Sequence, residues 1–183
     1  GNTVAVWEDP RNTDSSQDQI TANTGNLTTA RGNAAVAPLL DGRVLFVGGA
    51  STSSLASSTA EVYDPVNSTF ALISSGAIST PRHYGKALTL NDGRVLVMGG
   101  MSGTYSSISG ATSIYDPSAN SLTTGTAMTA NRVFFNAVKL NNGKVLAIGG
   151  CSAYDNINSF CTTALSSSEL YDPATGTWTS TGN

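Results

Sequence analysis

Few side chains in this sequence have the types and spacing that chemistry requires. There is one histidine, His83, and there are two cysteines, Cys151 and Cys161, too few soft ligands for a zinc finger or a histidine-rich metal centre. One histidine also limits a Ser-His-Asp triad, and no Gly-x-Ser-x-Gly elbow is present. No glycine-rich phosphate loop precedes a helix, and no helical pattern is legible. A glycosidase pair needs two suitably spaced carboxylates, and the 12 acidic residues could supply one. Against 9 basic residues they leave a net charge of -3, without the basic excess that displaces counterions from nucleic acid. The cysteines lie ten apart in a Ser/Asn/Thr-rich stretch. That placement fits a disulfide formed in an oxidising compartment, with two free thiols as the alternative.

The elements that must position these residues belong to one domain-sized chain of 183 residues, 39% hydrophobic and only 11% charged. An average soluble domain carries roughly 25% charged residues. Here 47 serines and threonines take their place, so the surface is a hydroxyl surface. The hydrophobic fraction is too high for a disordered chain, and no apolar run approaches the ~20 residues that span a bilayer. The chain starts Gly-Asn-Thr, without an initiator methionine or a signal peptide, as expected of a mature or excised form. Asn26-Leu27-Thr28 and Asn67-Ser68-Thr69 are glycosylation sequons, which arise easily in this composition.

Internal repetition decides the architecture. Leu40-Asp41-Gly42-Arg43-Val44-Leu45-Phe46-Val47-Gly48-Gly49 returns at Asn91–Gly100 and at Asn141–Gly150, with periods of 51 and 50. Glu61-Val62-Tyr63-Asp64-Pro65 returns as Ser113-Ile114-Tyr115-Asp116-Pro117 and Glu169-Leu170-Tyr171-Asp172-Pro173. An arginine stands ten residues before each Asp/Asn of the Asp/Asn-Gly pair: Arg31, Arg82 and Arg132. Each unit predicts four short strands. The first covers 34–40, 85–90 or 136–140. A two-residue Asp-Gly or Asn-Gly hairpin with both central residues at positive φ follows it. The second is the apolar run ending at the glycine pair, and the third carries Tyr-Asp-Pro. The fourth covers 69–72, 121–124 or 177–179. Four strands every ~50 residues predict an all-β chain of propeller blades.

These residues resemble the kelch repeat, in the form found in secreted bacterial kelch proteins and in the propeller of galactose oxidase. The resemblance covers 28–78, 79–129 and 130–183 as three four-stranded antiparallel blades. Residues 1–27 look like the last two strands of a fourth, with Trp7-Glu8-Asp9-Pro10 in place of Tyr-Asp-Pro. Three and a half blades do not close a ring, since propellers have 4–8. The chain is therefore expected to be a fragment of a longer propeller, to self-associate, or to stack on another chain.

The repeat accounts for most charges. Arg43, Arg94 and Lys144 share one position, and Asp64, Asp116 and Asp172 another. The spaced arginines are expected to pair with Glu61 and Glu169, within or between blades, and each Asp before Pro to cap its own turn. Alternating turns place the strand 2–3 loops and the strand 4–1 connections on one face, where length varies and binding is expected. The ligand-binding candidates there are Arg82, His83, Tyr84, Tyr105, Arg132, Tyr154 and Asp155. Phe134 lies beside them and is expected to pack between blades. Few charged residues remain outside the repeat, so the chain is expected to be a non-catalytic scaffold for a protein or glycan, with no cofactor, and the cysteine pair predicts an extracellular or cell-surface location. A self-assembling structural or adhesive protein and a piece of a copper-radical oxidase are the alternatives. Tyr84 stands where the oxidase family has its crosslinked tyrosine. The matching cysteine, near Asn33, is lacking, and the family's two histidines and second tyrosine come from blades outside this sequence.

Overall fold

The computed structural model describes residues 25–51, 56–102, 107–155, 157–158 and 160–181. The protein is all-β, and no helix among the described residues is long and apolar enough to cross a membrane. Three four-stranded antiparallel sheets follow one another along the chain. The first contains β1 (Ala35–Pro38), β2 (Val44–Val47), β3 (Ala60–Asp64) and β4 (Thr69–Leu72). The second contains β5 (Lys86–Thr89), β6 (Val95–Met98), β9 (Thr112–Asp116) and β10 (Ser121–Gly125). The third contains β11 (Asn136–Lys139), β12 (Val145–Ile148), β15 (Ser168–Asp172) and β16 (Thr177–Ser180). Each is a simple meander, and the first strands β1, β5 and β11 run beside one another. The partial blade expected in residues 1–27 lies outside the described residues except for its last three.

Two local features differ from the sequence expectation. The Asp-Gly hairpin is a three-residue loop. Gly42 N–H donates to Leu39 O at 3.1 Å, Leu39 N–H to Arg43 O at 2.7 Å, and only the glycine has positive φ, at 89°. This is a type I turn followed by a left-handed glycine, which suits Asp at its second central position without strain. Asp41 Oδ1 accepts Arg43 N–H at 3.1 Å, closing the loop from within. The second difference lies in the strand 2–3 loops. Two of them fold into extra hairpins, β7 (Met101–Ser102) with β8 (Ser107–Ile108), and β13 (Cys151–Asp155) with β14 (Phe160–Ala164). Their Ser/Thr-rich sequences hide strand character because no face is strongly apolar. Cys151 and Cys161 form a disulfide across the second hairpin.

The turns after β3, β9 and β15 follow expectation. Asp64, Asp116 and Asp172 each accept the N–H two residues on, at 2.8, 2.8 and 2.9 Å. A left-handed residue completes each turn: Ser68, Asn120 and Gly176.

The core lies between sheets. Ala37, Leu39, Leu45, Val47 and Val62 of the first blade pack on Val95, Val97, Tyr115 and Leu122 of the second. The opposite face of the second blade, with Leu90, Leu96, Met98 and Ile114, packs on Val145, Ala147, Tyr171 and Trp178 of the third. Strand alternation supplies both faces, so these strands are apolar throughout. The glycine pairs let the blades meet. A Cβ on Gly48 would lie 2.3 Å from Arg82 O, and one on Gly99 would lie 2.5 Å from the Phe135 ring and 2.8 Å from Arg132 O. Gly49 and Gly100 N–H donate to these same carbonyls at 3.0 and 2.9 Å. At Gly149 the nearest atom is Leu165 O at 3.4 Å, because no further blade packs there among the described residues. Alanine at Gly149 therefore meets only the left-handed backbone penalty, about 1–2 kcal/mol. Alanine at Gly48 or Gly99 adds overpacking of roughly 1–3 kcal/mol. Denaturant unfolding of the three variants should rank Gly149→Ala as the mildest.

Candidate functional site: the loop face

The strand 4–1 connection of each blade is stitched to its strand 2–3 loop. Backbone bridges pair Gly32 with Ala50, His83 with Met101, and Val133 with Cys151. Both segments therefore lie at the same end of the sheets, as the turn alternation requires.

Beneath this face sits a buried ion-pair clamp. In the third blade, Arg132 Nε and Nη2 donate to Glu169 Oε1 at 3.1 and 3.0 Å. Nη1 donates to Gly149 O and Ser167 O, both at 2.8 Å. Glu169 also accepts Thr129 N–H at 2.6 Å and Ala130 N–H at 3.0 Å. The first blade repeats the pattern with Arg31, Glu61, Gly48 O, Thr59 O and the N–H groups of Thr28 and Thr29. The expected arginine–glutamate pairs are thus intra-blade contacts. In the middle blade Ser113 stands in the place of the acid. Arg82 Nη2 reaches its Oγ at 3.2 Å and Nη1 reaches Thr80 O at 3.3 Å, while Nε is buried without an acceptor. Burial pushes this guanidinium down to about 10, which leaves it charged at neutral pH.

Of the seven ligand candidates, Arg82, His83 and Arg132 lie under the face and not on it. His83 is enclosed, its backbone paired with Met101, and burial lowers its pKa below 6.5. Asp155 serves its own hairpin turn. It accepts Ile157 N–H and the Asn158 side-chain amide at 2.8 Å each, and the Asn158 side chain leads the contacts that hold its pKa low. Tyr105 lies outside the described residues. Tyr84 and Tyr154 are half-buried at the face.

Phe134 corrects the expectation that it packs into the blade interface. Its neighbour Phe135 is the interface residue, whereas Phe134 is 46% exposed. Phe134 instead joins a row of rings across two blades. The centroids of His83 and Tyr84 are 4.9 Å apart, Tyr84 and Phe134 5.0 Å, and Phe134 and Tyr154 5.4 Å. Edge-to-face and tilted contacts at these separations are favourable for aromatic quadrupoles. Met101, Val133 and disulfide-bonded Cys151 form the small core beneath, against which Tyr84, Ile108 and Tyr154 pack. Tyr84 and Phe134 occupy the same repeat position as Asn33, and all three are left-handed, at φ 57°, 55° and 55°. Asparagine tolerates that backbone, whereas bulky side chains rarely adopt it. The repeat alignment contained the signal, since an Asn two residues after the first arginine marks a left-handed position. Among the described residues, no three His, Cys, Asp or Glu side chains gather into a cation site.

Successive four-stranded antiparallel sheets, packed face to face through glycine-flanked strands with variable loops at one end, define a partial β-propeller. Residues 140–183 match the family model of the Kelch motif, and the other two sheets repeat the same residues in register. No curated protein matches the chain.

The clamp generates a pH dependence. Burial alone would raise the Glu61 and Glu169 carboxyls. The backbone N–H donors and the arginine outweigh it and hold both below 4.5. The unfolded state therefore binds more protons as the solution is acidified. This contribution is complete above about pH 4.5 and is lost as pH falls through the folded values. Glu169→Gln leaves Arg132 buried without its counter-charge and should cost about 3–5 kcal/mol at pH 7. Melting curves from pH 7 to pH 3 should fall more shallowly for that variant than for the parent.

Proposed function

We propose that this chain is a non-catalytic interaction scaffold that takes a protein or glycan ligand on its loop face, through Tyr84, Phe134 and Tyr154. The observation that carries this reading is the left-handed backbone at Tyr84 and Phe134. A bulky residue there costs about 1–3 kcal/mol, and such strain gathers at binding sites. The first blade completes the same turn with Asn33, so the fold itself has no need of the rings. Rigid amphipathic tyrosine and an exposed phenylalanine suit recognition of either ligand class. The kelch match agrees with an interaction role. The disulfide supports an oxidising location, extracellular or at the cell surface.

The test uses Tyr84→Asn and Phe134→Asn in binding assays against an oligosaccharide panel and a panel of secreted proteins. The expected outcome is a ligand whose binding falls at least tenfold in both variants while their melting temperatures match or exceed the parent's. Ligands indifferent to both substitutions would refute the assignment of this face.

Self-assembly is the second reading, supported by the end faces of the stack. Val138 and Ile148 of the third blade are 45% and 44% exposed. They correspond to Leu88 and Met98, which pack on the next blade. At the other end, Val36 is exposed and Phe46, Tyr63 and Phe70 form a ring cluster. These positions correspond to Ala87, Val97, Tyr115 and Leu122, the residues that receive a preceding blade. The two ends are thus complementary and not alike, which is the requirement for head-to-tail contact between copies. Light scattering over a concentration series should then give twice 18.7 kDa for the parent, and 18.7 kDa for Ile148→Asp. A parent at 18.7 kDa throughout would exclude this reading.

A further inference from the structure

The middle blade departs from its neighbours at one buried position. In the first and third blades a glutamate carboxylate joins the arginine fork to two consecutive backbone N–H groups. The middle blade lacks that carboxylate, and Arg82 donates to Ser113 Oγ and Thr80 O where Arg31 and Arg132 donate to a glutamate and to two carbonyls of their own blade. Its connection follows the same path: Ile78 N–H donates to Ser58 O and Arg82 N–H to Ser57 O, as Met128 donates to Gly110 O and Arg132 to Ser109 O. Ser79 and Thr80 therefore stand where Thr129 and Ala130 present their N–H groups to Glu169. Arg82 is 2% exposed, its Nε has no acceptor, and it forms no ion pair among the described residues. A guanidinium buried without a counter-charge is costly, and supplying one is correspondingly favourable.

We propose that this position is a socket for a small monocarboxylate anion, bound by Arg82, by the backbone N–H groups of Ser79 and Thr80, and by the Ser113 hydroxyl. The same chain shows twice how these donors take a carboxylate. Size follows from the side chains: serine ends at Oγ, where glutamate has Cγ, and the difference is one carboxylate group. A free anion also needs van der Waals clearance from Oγ, so formate is the best-sized candidate, acetate is larger by a methyl, and propionate is too long. Ser113 Oγ accepts from Arg82, which leaves its own O–H to donate to the anion. Ser79 is exposed, so the anion approaches over this turn. The socket is independent of which ligand the aromatic row takes.

The experiment is thermal unfolding of the whole chain at pH 7 in sodium formate, at ionic strength matched with sodium chloride. A ligand that binds only the native state raises the midpoint, by about 3–6 °C at ten times its dissociation constant. Formate is expected to stabilise the parent, acetate less, and propionate no more than chloride. Ser113→Glu supplies the carboxylate covalently, so its midpoint should start higher and ignore formate. Equal formate shifts in parent and variant, or none in the parent, would overturn the proposal. If Ser113→Glu does not fold, line broadening of 13C-formate by the parent decides. Broadening that acetate reverses and propionate does not supports the socket, and an unbroadened line overturns it.

Discussion

The loop end is organised by the spaced arginine, and in the third blade Arg132 is used twice. Its guanidinium reaches across its own blade, to the carbonyl that ends the second strand and the one that precedes the third. Its main-chain carbonyl faces the other way and receives the glycine N–H of the preceding blade. Blade shape and blade spacing are therefore set by the same residue. The connection that carries it is also the one that carries the exposed rings, two positions further on. A shift of the clamp would move Phe134 and, through it, the contacts to Tyr84 and Tyr154.

A buried ion pair is a poor source of net stability, because desolvation offsets most of the attraction. What it supplies here is directional. Glu169 has its oxygens occupied by two amides and a fork, which leaves one arrangement of the connection. The apolar faces alone would tolerate sliding of one short strand against another, since valine, leucine and methionine interchange in packing. The middle blade lacks the acid and is held instead by covered faces on both sides.

The scaffold was legible because it is written three times. Strand order, the glycine pairs, the Asp-Pro turns and the arginine–glutamate pairs all follow from residues recurring in register. The loop end was less legible for the opposite reason. The β7–β8 and β13–β14 hairpins differ in length and sequence, and their serines and threonines show no apolar alternation, so only the cysteine pair hinted at the second. Arg82 and Arg132 are repeat-borne polar groups near a sheet end and belong to the layer under the loops, and His83, which stands where the other blades have Gly32 and Val133, is buried beside Arg82. Phe134 and Phe135 are adjacent and chemically alike. Which of them enters the core depends on a left-handed backbone that composition does not reveal.

That backbone position also bears on how such a chain can change over time. Asn33, Tyr84 and Phe134 differ greatly in bulk and polarity, yet all complete the same turn at nearly the same φ. The side chain there lies at the loop end, outside the two clusters that pack sheet on sheet, although Tyr84 also rests on the small core of Met101, Val133 and Cys151. Each repeat thus offers one exchangeable display slot on a fixed frame. A new surface can be composed by substituting a single residue per blade, and duplication of a blade adds a slot without redesigning those already present.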